Sequence, residues 1–215
     1  SIDIPNAVQS IGANCFVDCS NLVSVNFLED SNLNLINTSC FENCVSLQQI
    51  TLPKKVTSLG SRAFFNCGGL GSGEGGGNIT LNTALTEIGS SCFAFCISMN
   101  YINLENTAIT TIQENTFEDC SNLNCVLIPN TLTMINQFAF KNCTNLSECY
   151  ILGSIANLVA TAFNGLDIIT IYYFSNMTSL SMLENIVINN NANRTFIDLY
   201  NSPPDPSFNF KYNNF

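Results

Sequence analysis

The chain has 215 residues, 46% of them hydrophobic and only 10% charged, which excludes a disordered polyelectrolyte. Sixteen acids against six bases give a formal net charge of −10, which argues against a phosphate-neutralising nucleic-acid surface and against docking on anionic lipid. With no histidine, neither a Ser-His-Asp nor a Cys-His catalytic arrangement can be assembled.

Along the chain a Phe-x-x-Cys pair recurs at Phe16/Cys19, Phe41/Cys44, Phe64/Cys67, Phe93/Cys96, Phe117/Cys120 and Phe140/Cys143, and Phe163 keeps the spacing without the cysteine. Successive phenylalanines are 25, 23, 29, 24, 23 and 23 residues apart. Self-similarity in the low twenties marks a solenoid, in which each unit buries its apolar face only against its neighbours. The opening Ser1-Ile2-Asp3-Ile4-Pro5 reads as mid-repeat, as expected of a fragment of a longer protein. No apolar run of about 18 residues occurs, so no membrane-spanning helix is expected in this stretch.

The sixth copy shows the unit most fully: Leu123, Val126, Ile128, Pro129, Leu132, Ile135, Ala139, Phe140, Cys143 and Leu146. The third repeats it with Leu47, Ile50, Leu52, Pro53, Val56, Leu59, Ala63, Phe64, Cys67 and Leu70. Around Ile102-x-Leu104 the alternation has period two, which predicts a short strand with one buried face. Beyond each strand the apolar residues are spaced by three and four before the phenylalanine turn. Stacking such units predicts a parallel sheet with ladders of Phe, Cys and Leu/Ile.

In the fourth unit Gly71-Ser72-Gly73-Glu74-Gly75-Gly76-Gly77 precedes a strand at Ile79-Thr80-Leu81. It lacks the Lys-Ser/Thr of a phosphate-binding loop, so a bulge at the rim of the solenoid is expected. After Ile171 the spacing fails. Residues 172–215 are read as a C-terminal cap and extended tail, with strands at Ile186-Val187-Ile188 and Phe196-Ile197-Asp198-Leu199, or as a linker toward a further domain.

Cys15/Cys19, Cys40/Cys44 and Cys92/Cys96 have spacing close to that of zinc ligand pairs. Each of these cysteines nevertheless occupies a repeat position, either where alanine stands in other copies or three after the Phe, so buried space-fillers are expected. Cys125 and Cys149, at or beside strands, are expected to be reduced or buried in the last coils. Lys54, Lys55 and Arg62 form the one local basic cluster and read as a solvated face. Acceptor sequons stand at Asn37, Asn78, Asn142, Asn145, Asn176 and Asn193. No catalytic, cofactor or metal site is expected.

Strand residues that alternate with the buried ones should face away from the core: Ser24, Asn26, Gln49, Thr51, Asn78 and Thr80 in early units, then Tyr101, Asn103, Leu127, Glu148 and Tyr150. The later group is the candidate protein-binding surface, because tyrosine is enriched at interface cores. The same positions equally suit ordinary sheet residues, since tyrosine favours strands.

The pattern resembles the BspA-like leucine-rich repeats, also called the Treponema pallidum type, whose copies read like I-P-x-x-V-x-x-I-G-x-x-A-F-x-x-C-x-x-L. Ile4-Pro5-Asn6-Ala7-Val8-Gln9-Ser10-Ile11-Gly12 through Phe16, Cys19 and Leu22 matches it nearly position for position. The resemblance covers about residues 1–171; it departs at the glycine insert and after Phe163, where Leu166 is either a substituted ladder residue or the next leucine after a deletion. The fold class it implies is an α/β-type repeat solenoid: a right-handed, curved array of about seven coils with its parallel β-sheet on the concave face, plus the cap. The role it implies is a non-enzymatic protein-interaction module, an adhesin at the cell surface for host cells, matrix proteins or other microbes. An intracellular scaffold is the alternative, consistent with many unpaired cysteines and no visible export signal.

Overall fold

Period-two alternation places one strand residue per coil in the core. In a computed structural model that describes residues 1–28, 31–73, 79–159, 161–166, 168–173 and 193–198, these residues stack rung on rung. Strands β1 (Ile2–Ile4), β2 (Ser24–Phe27), β4 (Gln49–Thr51) and β6 (Ile79–Thr80) form one parallel sheet. Strands β8 (Tyr101–Asn103), β10 (Cys125–Ile128), β12 (Glu148–Ile151), β14 (Ile168–Tyr173) and β15 (Asn193–Asp198) form the next. Val25, Ile50 and Ile79 pair in register in the first, and Ile102, Val126, Cys149 and Ile171 in the second.

A second column of two-residue strands runs beside them: β3 (Leu35–Ile36), β5 (Ser58–Leu59) and β7 (Glu87–Ile88), then β9 (Thr111–Ile112), β11 (Met134–Ile135) and β13 (Asn157–Leu158). Their inward residues Ile36, Leu59, Ile88, Ile112 and Ile135 are buried in the same core.

No α-helix occurs among the described residues, which corrects the α/β expectation to a parallel-strand β-solenoid of about seven turns. The reason lies in the phenylalanine turns. Among the described residues, all twelve non-glycine residues of positive φ stand two before or two after a ladder phenylalanine, as Asn14 and Asp18 flank Phe16 and Asn115 and Asp119 flank Phe117. A helix needs an unbroken right-handed run with bonds four residues apart. Here the bonds alternate instead. Cys44 N–H donates to Phe41 O within the coil at 3.1 Å, and Phe41 N–H donates to Ala63 O of the next coil at 2.8 Å. The apolar spacing of three and four therefore belongs to a third hydrogen-bonded face.

Asparagine and aspartate tolerate the left-handed region better than other residues with a Cβ. They also bond to one another along the stack: Asn43 Nδ2 donates to Asp18 Oδ1 at 2.7 Å, Asn66 to Asn43 at 2.9 Å and Asn142 to Asp119 at 3.1 Å. Much of the chain's asparagine content thus serves the turns.

Inside the turns the seven phenylalanine rings stack in one column, with centroids 5.1–5.6 Å apart and planes within 11°. Phe41 through Phe163 are wholly buried, whereas Phe16 is half-buried. Beside the rings, each ladder thiol from the second coil on donates to the phenylalanine carbonyl of the preceding coil: Cys44 to Phe16, Cys67 to Phe41, Cys96 to Phe64, Cys120 to Phe93 and Cys143 to Phe117, at 3.0–3.3 Å. Cys40 and Cys92 fill the slot that Ala63 and Ala139 occupy elsewhere, as expected of space-fillers. None of the eleven cysteines is in a disulfide; Cys15 and Cys19 are exposed and the rest, including Cys125 and Cys149, are buried.

Departures in repeat length leave the ladders in register. The core strand residue follows its phenylalanine by nine positions in most coils, as Ile50 follows Phe41, but Ile79 follows Phe64 by fifteen and still pairs with Ile50, so six extra residues leave the register intact; residues 74–78 of the glycine segment lie outside the described residues. Ile171 follows Phe163 by eight, and buried Leu166 takes the cysteine's place after left-handed Gly165. Leu166 is thus a substituted ladder residue, and one residue is deleted after it. The strand expected at Phe196 falls within β15, which pairs parallel with β14. The strand expected at Ile186-Val187-Ile188 and most of the expected cap and tail lie outside the described residues.

Three outcomes follow from the columns. Phe117→Ala, in mid-stack, should cost about 3–5 kcal/mol in chemical denaturation, and Phe16→Ala at the half-buried end clearly less. Thiol titration should find two reactive cysteines in native protein and eleven after unfolding.

The third concerns pH. Burial pushes the Cys120 thiol from 9.0 to about 12, and raises Cys67, Cys96 and Cys143 well above their ordinary value. A raised folded pKa means that this contribution is complete below the unfolded value and is lost as pH climbs toward the folded one. Stability should therefore fall between pH 9 and 12. Cys120→Ala should make urea unfolding less steep in pH by about 1.4 kcal/mol per pH unit.

Candidate interaction surface

The strands carry two outward columns in the later coils. Tyr101, Cys125, Glu148 and Thr170 lie in register in one; Asn103, Leu127, Tyr150 and Tyr172 lie in the other. All five residues expected to bind protein therefore share one sheet face. Their accessibility differs. Leu127 is 1% and Tyr150 3% exposed, and with Cys125 they form an apolar cluster separate from the main core, against which Tyr101 and Tyr172 pack. Tyr101, Asn103 and Glu148 are half-buried.

The cluster is held by specific contacts. The rings of Tyr150 and Tyr172 stack at 4.4 Å, and the Tyr150 hydroxyl donates to Glu148 Oε2 at 3.3 Å. Burial, reinforced by the Glu148 charge, pushes the Tyr150 phenol far above its ordinary value. Asn103 turns its amide oxygen back onto Glu105 N–H at 2.9 Å, closing the turn after β8. Large side chains on adjacent rungs of a parallel column can meet face to face. That is how outward alternation produces a second buried layer here in place of an open patch.

The early coils differ. Asn26, Gln49, Thr51 and Thr80 are exposed on the equivalent face, and Ser24 is half-buried. Over β2 and β4, Ser24, Asn26, Gln49 and Thr51 line a groove of about 640 Å³ together with Phe27 at the end of β2, Leu28 and Ser31 after it, and Lys54 and Lys55 after β4. Leu28, 49% exposed, is a large apolar side chain at the groove's lip. Lys55 Nζ donates to Asn32 Oδ1 at 2.7 Å, which ties the lysine turn to the neighbouring coil.

The basic cluster proposed from sequence divides in space. Arg62 belongs to the phenylalanine turns, where its Nε bonds Glu42 Oε2 at 3.0 Å and its guanidinium lies 3.6 Å over the Phe65 ring. The hydrogen bond from Arg62 lowers the Glu42 carboxyl below its ordinary range. Lys54 and Lys55 instead face the groove. Sequence reasoning passed over this place although a signal was present: the 25-residue interval between Phe16 and Phe41 falls on the residues after Leu28.

Sequon amides are largely engaged. Asn37 Nδ2 donates to Ile11 O at 2.7 Å, Asn142 to Asp119, and exposed Asn145 to Asn122 at 3.3 Å. Asn78 and Asn176 lie outside the described residues, and Asn193 opens β15. Among the described residues no three or more Cys, Asp or Glu side chains gather as a metal site would require, and no helix is long and apolar enough to cross a membrane.

The family profile of the BspA type leucine-rich repeat region, in six copies, matches residues 1–74 and 76–194. No curated protein matches. Among solved structures, a T. pallidum leucine-rich repeat protein is 22% identical with a TM-score of 0.53, over 70% of this chain and 73% of its own. A Bacteroides ovatus leucine-rich repeat protein is 21% identical with a TM-score of 0.51, over 80% of this chain and 54% of its own. One from Eubacterium ventriosum is 18% identical with a TM-score of 0.56, over 76% and 58%. The chain thus spans little more than half of the last two. With the phenylalanine turns, thiol column and strand ladders in place, the profile match over most of its length makes this chain a member of the BspA type leucine-rich repeat family.

Proposed function

We propose that the chain is a non-enzymatic protein-interaction module that works at the cell surface as an adhesin, binding host cells, matrix proteins or other microbes through the concave face of its strands. The observation that carries this reading is the outward sheet face itself. It is backed by a continuous core, so its side chains are presented on rigid rungs and not on loops. In the later coils Tyr101, Asn103 and Glu148 make the contacts, while Leu127 and Tyr150 support them from the cluster beneath. Preorganised side chains of this kind lose little entropy on binding.

The abundance of cysteine outside disulfides favours the alternative, an intracellular scaffold, less than composition suggests. Buried thiols held in the protonated form are inert toward oxidation. Nine of the eleven are buried, so only Cys15 and Cys19 would feel the compartment.

The test combines labelling of intact cells with binding of purified protein to immobilised matrix proteins and to host cells. Tyr101→Glu with Asn103→Arg should weaken whichever interaction is found by roughly tenfold or more while the protein still unfolds in urea as one cooperative transition, at somewhat lower stability because Tyr101 packs on the cluster and Asn103 closes the turn after β8. Unchanged affinity would remove this surface, and labelling confined to lysed cells would favour the scaffold.

A further inference from the structure

The third face of the solenoid, made by the phenylalanine turns, belongs to neither column of strands and carries a pattern of its own. Two residues after the ladder phenylalanine the backbone is left-handed, and five coils place Asp18, Asn43, Asn66, Asp119 or Asn142 there. Their amides bond along the stack. In the fourth coil the same position is Phe95, at φ 63° and 37% exposed. A bulky side chain is an outlier in that region, and this one interrupts the amide ladder between Asn66 and Asp119. Backbone strain of that kind clusters at functional sites. Phe95 meets Phe65 edge to face with centroids 5.2 Å apart, and Ile97, two residues on, is 50% exposed. The middle coil therefore presents an apolar knob.

Charges are disposed about this knob in a particular order. Glu42 of the second coil takes the Nε of Arg62 of the third at 3.0 Å, and Glu118 of the fifth takes the Nζ of Lys141 of the sixth at 2.6 Å. Arg62 lies over the Phe65 ring, so its charge sits on the third coil. From the second coil to the sixth the signs run minus, plus, neutral, minus, plus. Reversal gives plus, minus, neutral, plus, minus. A copy turned end for end thus sets every one of these charges against its opposite.

We propose that this face pairs with the same face of a second copy of the chain, about a two-fold axis that reverses the order of coils. Phe95 and Ile97 of the two copies meet at the axis. Glu42 then stands opposite the partner's Lys141, and Arg62 opposite the partner's Glu118. The other acids of the turns meet no like charge: Asp119 faces the partner's Asn66, Glu114 the partner's Ser61 and Asp18 the partner's Gly165. Keeping the coil order would instead set Glu42 on Glu42 and Arg62 on Arg62, which like-charge repulsion disfavours. A guanidinium has five N–H donors and an ammonium three, so each cation can hold a second carboxylate beside its own. An apolar centre with charge moved to its margins is the composition of an interface core, and one patch used twice is the form a two-fold contact takes.

The strip covers five coils, about 25 Å of stack. That is less than a standard interface of about 1,600 Å² needs, so the dimer is a weak one, with a Kd on the order of 100 μM. Both columns of strands stay open in each copy, and a dimer offers any surface on them twice.

Sedimentation of the purified chain tests this with no ligand present, so its outcome is independent of the adhesin reading. A reversible monomer–dimer equilibrium is expected, and a chain that stays monomeric to about 1 mM overturns the proposal. Phe95→Asn restores the residue type of the other coils. It should weaken dimerisation at least about tenfold without lowering stability in urea, and unchanged dimerisation overturns the proposal. Exchanging charges is the sharper test. Glu42→Arg with Arg62→Glu keeps an ion pair within the chain but sets like charges opposite each other in the dimer, and Glu118→Lys with Lys141→Glu does the same at the other end. Each double variant alone should be monomeric, whereas an equimolar mixture of the two should form a heterodimer, because their sign patterns complement each other. Either variant dimerising alone as tightly as wild type, or a mixture that stays monomeric, overturns the proposal.

Discussion

The structure depends on one repeated constraint: at each phenylalanine turn, alternate N–H groups are given to the neighbouring coil. A helix would satisfy every amide within its own coil and leave the units to meet through side chains alone. Here the left-handed residues two before and two after each phenylalanine swing every second amide toward the next turn, as Phe93 N–H reaches Thr116 O at 2.9 Å and Phe95 N–H reaches Glu118 O at 2.8 Å. That commits each coil to its neighbour at the closest backbone spacing, and the rings stack because nothing else fits at about 5 Å. The consequence is visible between the fourth and fifth coils. Neither β6 with β8 nor β7 with β9 belongs to one sheet there, and the turn face carries most of the hydrogen bonding across, joined by Ala108 N–H to Leu85 O at 2.8 Å, with Phe93 and Phe117 stacked at 5.6 Å.

The same backbone geometry gives the cysteines their place. A phenylalanine carbonyl at this turn accepts the N–H three residues ahead and still has a lone pair facing the next coil. A thiol is small enough to lie in the core and, unlike alanine, can donate to it. Cys67 does so to Phe41 while Cys44 N–H bonds the same oxygen. An S–H bond is weak, so selection for a thiol over alanine rests on not leaving that lone pair idle in an apolar column. Such a role also suppresses reactivity. The thiol must stay protonated to donate, and burial holds it so. The seventh coil shows what happens without it: Leu166 fills the volume, and its side chain has no proton to give.

Much of this was legible in the residues and some was not. Coil number, strand positions and the Phe and Cys ladders could be read directly, because a repeat prints its packing many times and each copy checks the last. The absent helix could not be read from apolar spacing, since intervals of three and four arise equally from a helix and from a turn with left-handed corners. The asparagines and aspartates at those corners were the available clue: Asp18, Asn43, Asn66, Asp119 and Asn142 recur two places after the phenylalanine. Orientation of the outward strand residues was legible, as the shared face of Tyr101, Asn103, Leu127, Glu148 and Tyr150 demonstrates. Their accessibility was not. Alternation says which side of a sheet a residue faces, whereas burial on that side depends on what its cross-strand neighbours are large enough to cover.

That distinction gives the two halves of the sheet different physical characters. Over the later coils, Leu127 and the stacked pair of Tyr150 and Tyr172 have already lost their water, and a partner would gain little hydrophobic free energy from covering them again. Over the early coils the outward residues are short and polar, so the sheet stays wet. What distinguishes one site from another there is the sparse apolar and charged material beyond the strand ends, Leu28 after β2 and the two lysines after β4. In a chain this poor in basic residues, positive charge is the scarcer element, and the turn after β4 carries Lys54 and Lys55 where other copies carry uncharged pairs, as at Asn6-Ala7 and Asn130-Thr131, or acids, as at Glu29-Asp30. A uniform solenoid has no distinguished place along its length. Irregular coils create one, and they do so without disturbing the columns that hold the array together.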